Sequence, residues 1–312
     1  MSVRILVIVG PTASGKTRLG VEVAHRLGSE ILSADSRQIY RGLDIGSGKD
    51  LDEYRQVEPP VPYHLIDVLS PSEIYSLFRY QQDCYHVLDA KSRQQPFDRG
   101  VPLVMVGGSG LYVEAILKGY RIANLPEDVS LRESLMERDH DDLLRELESL
   151  DSEQARQTDA TSKKRVVRAL EIARYGAHHE VHYSEAPPVP IEFAVFGIDV
   201  PRDELHRRID TRLDQRLRQG LIDEVRGLVQ AGLSEGRMNQ LGLEYREVAA
   251  YLNGAKTEQE MIDDLRKGIR KFAKRQRTWF RGMERRGIDV TWVGPDDYEV
   301  LLSHKFSAGG DH

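Results

Sequence analysis

The chain has 312 residues, more than the roughly 100–200 of one ordinary domain, with 40% hydrophobic content and a formal net charge of −6. That suffices for a sizeable core, and the acidic balance means that any nucleic-acid surface must come from local clustering of bases. A single cysteine, Cys84, excludes an intramolecular disulfide and a cysteine-based zinc site; the N-terminal apolar run is too short for a signal-peptide core and nothing approaches a ~20-residue membrane span, so a cytoplasmic protein without a membrane partner is expected.

Residues 3–9 form a short apolar run rich in β-branched side chains, which predicts a strand. Gly10, Pro11, Thr12, Ala13, Ser14, Gly15, Lys16 and Thr17 follow, and then a helical pattern through Leu19, Val23, Ala24 and Leu27. Strand, glycine loop and helix are the setting that a phosphate-binding P-loop needs. The two glycines allow close backbone approach, loop N–H groups and the helix N-terminus face an anion, Lys16 adds a full charge, and the Thr17 hydroxyl can ligate Mg²⁺. A pyrophosphate or polyphosphate is expected here; the motif does not say what it is attached to.

A second strand over residues 30–34 ends at Asp35, Ser36, Arg37 and Gln38. In doubly wound sheets ligands bind at the carboxyl ends of strands, so Asp35 either faces the phosphates or caps a helix. The glycine-rich residues 42–49 lack the setting of a second P-loop, residues 64–68 read as a short strand, and residues 76–95 have helical periodicity with Leu77, Tyr80, Cys84 and Leu88 on one side. A buried strand over 102–106 leads through Gly107, Gly108 and Gly110 into a helix. Ser109, at that junction, either faces the same crevice or sits in a tight turn.

From about 120 to 190 the α/β rhythm stops. Leucines spaced through an acidic stretch, 127–153, predict a helical arm with a solvated face. The next helix carries Lys163, Lys164, Arg165 and Arg168, either a solvated face or a contact to phosphates. A strand returns at 193–199 and helices follow at about 201–218, 221–231, 244–252 and 258–281. The last is strongly basic, with Ile269, Phe272, Ala273, Trp279, Phe280 and Met283 as an expected core stripe; residues 289–293 read as a final strand. The fold class is therefore α/β: a P-loop NTPase-like parallel sheet flanked by helices, with a mainly helical insertion and a helical C-terminal part. The expected divisions are 1–119, 120–190 and 191–312.

Several stretches, in order, resemble the tRNA dimethylallyltransferases, also called tRNA isopentenyltransferases: residues 10–17, 35–46, 64–67, 107–112, 165–171, 220–225 and 274–281. The resemblance implies transfer of a dimethylallyl group from dimethylallyl diphosphate to N6 of adenosine 37, next to the anticodon of tRNA, with Mg²⁺ as cofactor. It implies that residues 10–17 hold the diphosphate and that Lys16, Arg212 and a Thr17-bound Mg²⁺ neutralise its charge. Asp35 would take the amine proton, or hydrogen-bond to the amine, and Ser109 would position the amine or the diphosphate. Asp35, Ser36, Arg37, Gln38, Lys164, Arg165 and Arg168 become the tRNA-contacting positions, in a monomer that binds the anticodon stem-loop. This sequence departs from the commonest pattern with Ser109 for Thr, with Gly242 to Arg246 reading Gly-Leu-Glu-Tyr-Arg, and with a short acidic arm. An isopentenyltransferase acting on free AMP or ADP, and a P-loop small-molecule kinase, share the P-loop logic.

Overall fold

The computed structural model describes residues 2–126 and 128–306; Glu127, which opens the acidic stretch, and the tail from Ser307 lie outside the described residues. In chain order the elements are β1 (Val3–Val9), α1 (Lys16–Leu27), β2 (Ile31–Ser33), α2 (Leu51–Arg55), β3 (Tyr63–His64), α3 (Leu77–Ser92), β4 (Leu103–Gly107) and α4 (Gly110–Leu117). Then come β5 (Ala123–Asn124), α5 (Val129–Glu137), α6 (His140–Leu150), α7 (Ser152–Gln157), α8 (Lys163–Gly176) and β6 (His182–Tyr183). The chain closes with β7 (Ile191–Ile198), α9 (Arg202–Arg218), α10 (Leu221–Gln230), α11 (Glu235–Leu241), α12 (Leu243–Leu252), α13 (Glu258–Arg281), β8 (Val290–Val293) and α14 (Tyr298–Leu302).

The chain divides into two compact units, 1–119 with 187–312, and 120–186. The first is built on a six-stranded, wholly parallel sheet in the order β3-β2-β4-β1-β7-β8. Central strands of such a sheet are covered on both faces, which is why β1 and β4 are almost uniformly apolar and buried. All strands point the same way, so the loops after β1, β2, β4 and β7 leave from one edge. β1 and β4 are neighbours whose crossovers depart in opposite directions, from β1 to β2 and from β4 to β7, and this switch point is where an open α/β sheet has a crevice.

The second unit has its own small core. Leu135, Leu143 and Leu147 pack on Val166, Val167, Ala169 and Leu170, the apolar face of α8. Asp128, Asp139 and Asp151 cap α5, α6 and α7 by accepting backbone N–H bonds, which explains part of the acidity of the stretch. A two-residue antiparallel ladder, β5 with β6, brings the ends of this unit together; neither strand stands out in the sequence.

Three expectations are corrected. The strand expected over 64–68 is limited to Tyr63–His64, because Leu65 and Asp67 adopt φ of 61° and 57° and turn the chain. α2 and α11 are short helices that the sequence pattern does not announce: α2 lies between the glycine-rich 42–49 loop and the prolines at 59, 60 and 62, and α11 lies between Gly232 and Gly242. On α13 the buried face is Met261, Leu265, Ile269, Ala273, Gln276 and Phe280, while Phe272 and Trp279 are only partly buried and border a cavity.

Candidate active site

β1 runs directly into the P-loop. Gly10 has no room for a side chain, since a Cβ would lie 2.6 Å from Ser14 Oγ, and Gly15, with φ 92°, is the residue from which α1 starts. Lys16 and Thr17 open α1 and, with Thr12, line a cavity of about 400 Å³. Asp35 enters that cavity from the end of β2. Its Oδ1 also accepts the N–H of Arg37 at 3.0 Å, so one oxygen closes a turn rather than capping a helix. Ser109 enters from the end of β4, where its Oγ accepts the N–H of Ser36 at 3.2 Å and its own N–H donates to Ala34 O at 3.2 Å. Three strand ends thus converge on one hollow. Ser36, Arg37 and Gln38 line it as well.

The far wall comes from α9 and α13. Arg212 is ion-paired with Asp50. Arg216, one helical turn on, is buried, donates to Gly46 O at 3.4 Å and lies 3.7 Å from Glu244. The glycine loop at 42–49 is shaped by this contact: Gly48, with φ 63°, packs against both guanidinium groups, where a side chain would collide. Glu224 holds the loop from the other side by accepting the N–H groups of Asp44, Ile45 and Gly46 at 2.8, 2.7 and 3.0 Å. From α13 come Phe272, Arg275, Gln276 and Trp279, and with Leu111 and Tyr112 they give the cavity an apolar, partly aromatic side. Gln276 accepts the Thr12 N–H and donates to Gly108 O, both at 2.9 Å, tying the P-loop to the second glycine loop.

The electrostatics suit an anion. Burial lowers Lys16 to about 8; Asp35 and Asp50 oppose that shift, while Arg212 and Arg216 add to it. Arg216 is lowered to about 10, by burial and then by Arg212. Crowded, desolvated cations of this kind are relieved when a multiply charged anion arrives. Behind the P-loop, Glu53 is raised to about 7 by burial and by Asp50, and its Oε2 has no hydrogen-bond partner.

A family model described as IPP transferase matches residues 38–283, and one described as isopentenyl transferase matches residues 3–58. The chain belongs to the IPP transferase family. It is 46% identical over 302 residues to tRNA dimethylallyltransferase 1 of Syntrophus aciditrophicus, covering 96% of this chain and 97% of that one. It is 43% identical to tRNA dimethylallyltransferase 1 of Porphyromonas gingivalis, covering 93% of each. Among solved structures, the full-length tRNA isopentenylpyrophosphate transferase of Bacillus halodurans superposes with a TM-score of 0.67 at 32% identity, covering 96% of this chain and 94% of that one. A eukaryotic dimethylallyltransferase acting on tRNA shares the fold, with a TM-score of 0.71 at 21% identity over 97% of this chain and 76% of that one.

In this IPP transferase the cavity gathers Thr12, Lys16, Thr17, Asp35, Ser36, Arg37, Gln38, Ser109 and Arg212 from the sequence-predicted set. Ala13 and Gly15 line a second depression behind the P-loop, together with Arg212, Asp50 and Glu53. Lys164, Arg165 and Arg168 belong to the other unit. There Arg165 pairs with Asp159 at 2.5 Å, and Arg168 donates to Glu171 at 2.8 Å and to Ala123 O at 3.4 Å. Only Lys164 of the three has no hydrogen bond or ion pair among the described residues. Sequence reasoning missed Arg216 as a site residue, although it follows Arg208 and Arg212 at four-residue spacing on one helix face. It also missed Gln276 and Trp279 as cavity residues: both lie within the family-like stretch 274–281, but Trp279 falls in the expected core stripe and Gln276 carries no signal of its own.

Proposed function

We propose that the chain transfers a dimethylallyl group from dimethylallyl diphosphate to the exocyclic N6 of adenosine 37 in the anticodon loop of a tRNA, releasing diphosphate. The observation that carries this reading is one cavity that joins a P-loop cation, the Asp35 carboxylate, the Ser109 hydroxyl and an aromatic wall. In this reading the P-loop holds the leaving diphosphate. The allylic C–O bond breaks with its electron pair going to the diphosphate, and the N6 lone pair forms the new C–N bond. Lys16 and Arg212 sit where negative charge grows, so their attraction is stronger in the transition state than in the bound donor. Asp35 keeps one oxygen on the Arg37 N–H and leaves the other to take the proton that the amine loses. Ser109, fixed by Ser36, positions the amine, and Phe272 and Trp279 give the prenyl chain and a base unstacked from the anticodon loop a dry face to lie on.

Magnesium fits this arrangement. Thr17 offers a hydroxyl at the cavity, and among the described residues no group of three His, Cys, Asp or Glu could hold an ion unaided, so the diphosphate and water would supply its other oxygens. Bound there, Mg²⁺ would supply further charge neutralisation to the diphosphate.

The test is an acceptor comparison: the protein, Mg²⁺ and dimethylallyl diphosphate with unmodified tRNA, AMP or ADP, followed by nucleoside mass spectrometry. Dimethylallyladenosine in tRNA is the expected product. Transfer to AMP or ADP alone would make it a free-nucleotide enzyme. Phosphorylation with ATP and no use of the allylic donor would make it a kinase.

A further inference from the structure

α13 carries two sets of cations. Arg266, Arg270 and Arg277 face acids of the same unit and pair with Asp214, Asp210 and Asp199. Lys267, Lys271 and Lys274 are exposed, and among the described residues none has a carboxylate within 4 Å. Their spacing of four and then three residues puts them on one side of the helix, spanning about 10 Å at 1.5 Å per residue. The row lies between two hollows. On one side is a groove of about 430 Å³ between α9 and α13, which no acid lines and to which Arg202 and His206 contribute. On the other is a polar depression that Lys267 and Lys271 share with Glu244, Glu247 and Asp264, acids already paired with Arg37, Arg216, Arg246 and Lys256; it also shares Arg37, Phe272 and Arg275 with the reaction cavity.

We propose that this lysine row is a track for the RNA backbone of the substrate, leading phosphates from the reaction cavity along α13 into the groove beside α9. The proposal rests on the tRNA reading above. A surface kept for stability would pair these lysines with acids, as Arg266, Arg270 and Arg277 of the same helix are paired; an acceptor that is a free nucleotide would need no charge this far from the P-loop. An extended polyanion passing the mouth of the cavity matches the whole row, and lysine suits phosphate as a mobile point charge needing no fixed fork geometry. Continuity with the cavity favours RNA over an acidic protein as the occupant.

The test is the full chain carrying Lys267→Glu, Lys271→Glu and Lys274→Glu, with a Gln triple variant as the milder form, after melting curves show both folded. Binding of unmodified tRNA is measured against salt, and donor binding separately. The expected result is a roughly 10–100-fold loss of tRNA affinity for the Glu variant, a slope of log affinity against log salt smaller by roughly two to three units, an intermediate Gln variant, and unchanged donor binding. Wild-type tRNA affinity and slope in the Glu variant overturn the track while leaving tRNA as substrate. A wild-type protein that neither binds nor modifies tRNA overturns the function as well. Loss of poly-aspartate binding with tRNA binding intact would assign the row to an acidic protein and also overturn it.

Discussion

On α8 nearly every cation ends on an oxygen of its own unit, whereas on α13 the cations divide into a paired set and an unpaired one. Lys163 donates to Arg138 O, Arg165 and Arg168 pair with Asp159 and Glu171, and Arg174 donates to Glu146 at 2.7 Å. Glu171 shows what this does. Burial pushes its carboxyl up, but hydrogen bonds from Arg132 and Arg168 outweigh that and hold it below its ordinary value. These charges hold helices of a small unit together. The cavity residues of the larger unit do the reverse: Lys16 and Arg216 are less basic than usual chiefly because they are buried, and the nearby Arg212 adds to the shift of each. The difference separates charge that stabilises from charge that waits for a ligand.

Substitutions in the two regions should therefore fail differently. The largest expected effect is at Asp35. Asp35→Asn should lower single-turnover transfer by roughly 10²–10⁴-fold while donor binding holds; near wild-type turnover would remove Asp35 from the chemistry. Lys16→Ala should slow transfer by about 10²–10³-fold and weaken donor binding. The sign with pH follows from its lowered value: Lys16 is charged below about 8 and neutral above. Donor affinity of the wild type should fall as pH rises through 8, and that fall should be missing in Lys16→Ala; identical pH profiles would show that Lys16 does not bind the diphosphate. Arg212→Ala should reduce transfer with little change in Tm, because its pair with Asp50 is partly exposed and such pairs contribute under about 1 kcal/mol.

In the insertion the order reverses. Glu171→Ala removes the acid that Arg132 and Arg168 share and should cost about 1–3 kcal/mol of stability, read as a lower Tm, with transfer per folded molecule retained. Loss of transfer at wild-type Tm would break the comparison. The smallest effect is at Glu53. Its raised value means that the folded protein holds a charged, poorly partnered carboxylate above pH 7, so stability from this group is lost as pH rises from its unfolded range through 7. Glu53→Gln should raise Tm more at pH 8 than at pH 5; an equal change at both would mean the carboxyl titrates normally.

The parallel sheet and the cavity floor were legible because their signals are local. Strand, glycine loop and helix recur at residues 3–17 and again at 103–117, and Asp35 ends the second apolar run, so topology alone sends all three to one edge. Of the far wall only Arg212 was legible, and that through the family resemblance. Arg216, Gln276 and Trp279 come from helices more than 170 residues beyond the P-loop, and helical periodicity cannot distinguish a face that covers a cavity from one that covers a core. The partners of the basic run on α8 were hidden for a related reason: composition shows the charges but not that Asp159 and Glu171 pack beside them.

The most direct test of the account is where the group lands. After incubation with dimethylallyl diphosphate and Mg²⁺, an unmodified tRNA carrying adenosine at position 37 is cut into fragments, and each is weighed by mass spectrometry. The account predicts a single dimethylallyl group, on adenosine 37, and none on a transcript with guanosine there. Transfer to other adenosines at a comparable rate, or none to any tRNA, would contradict it.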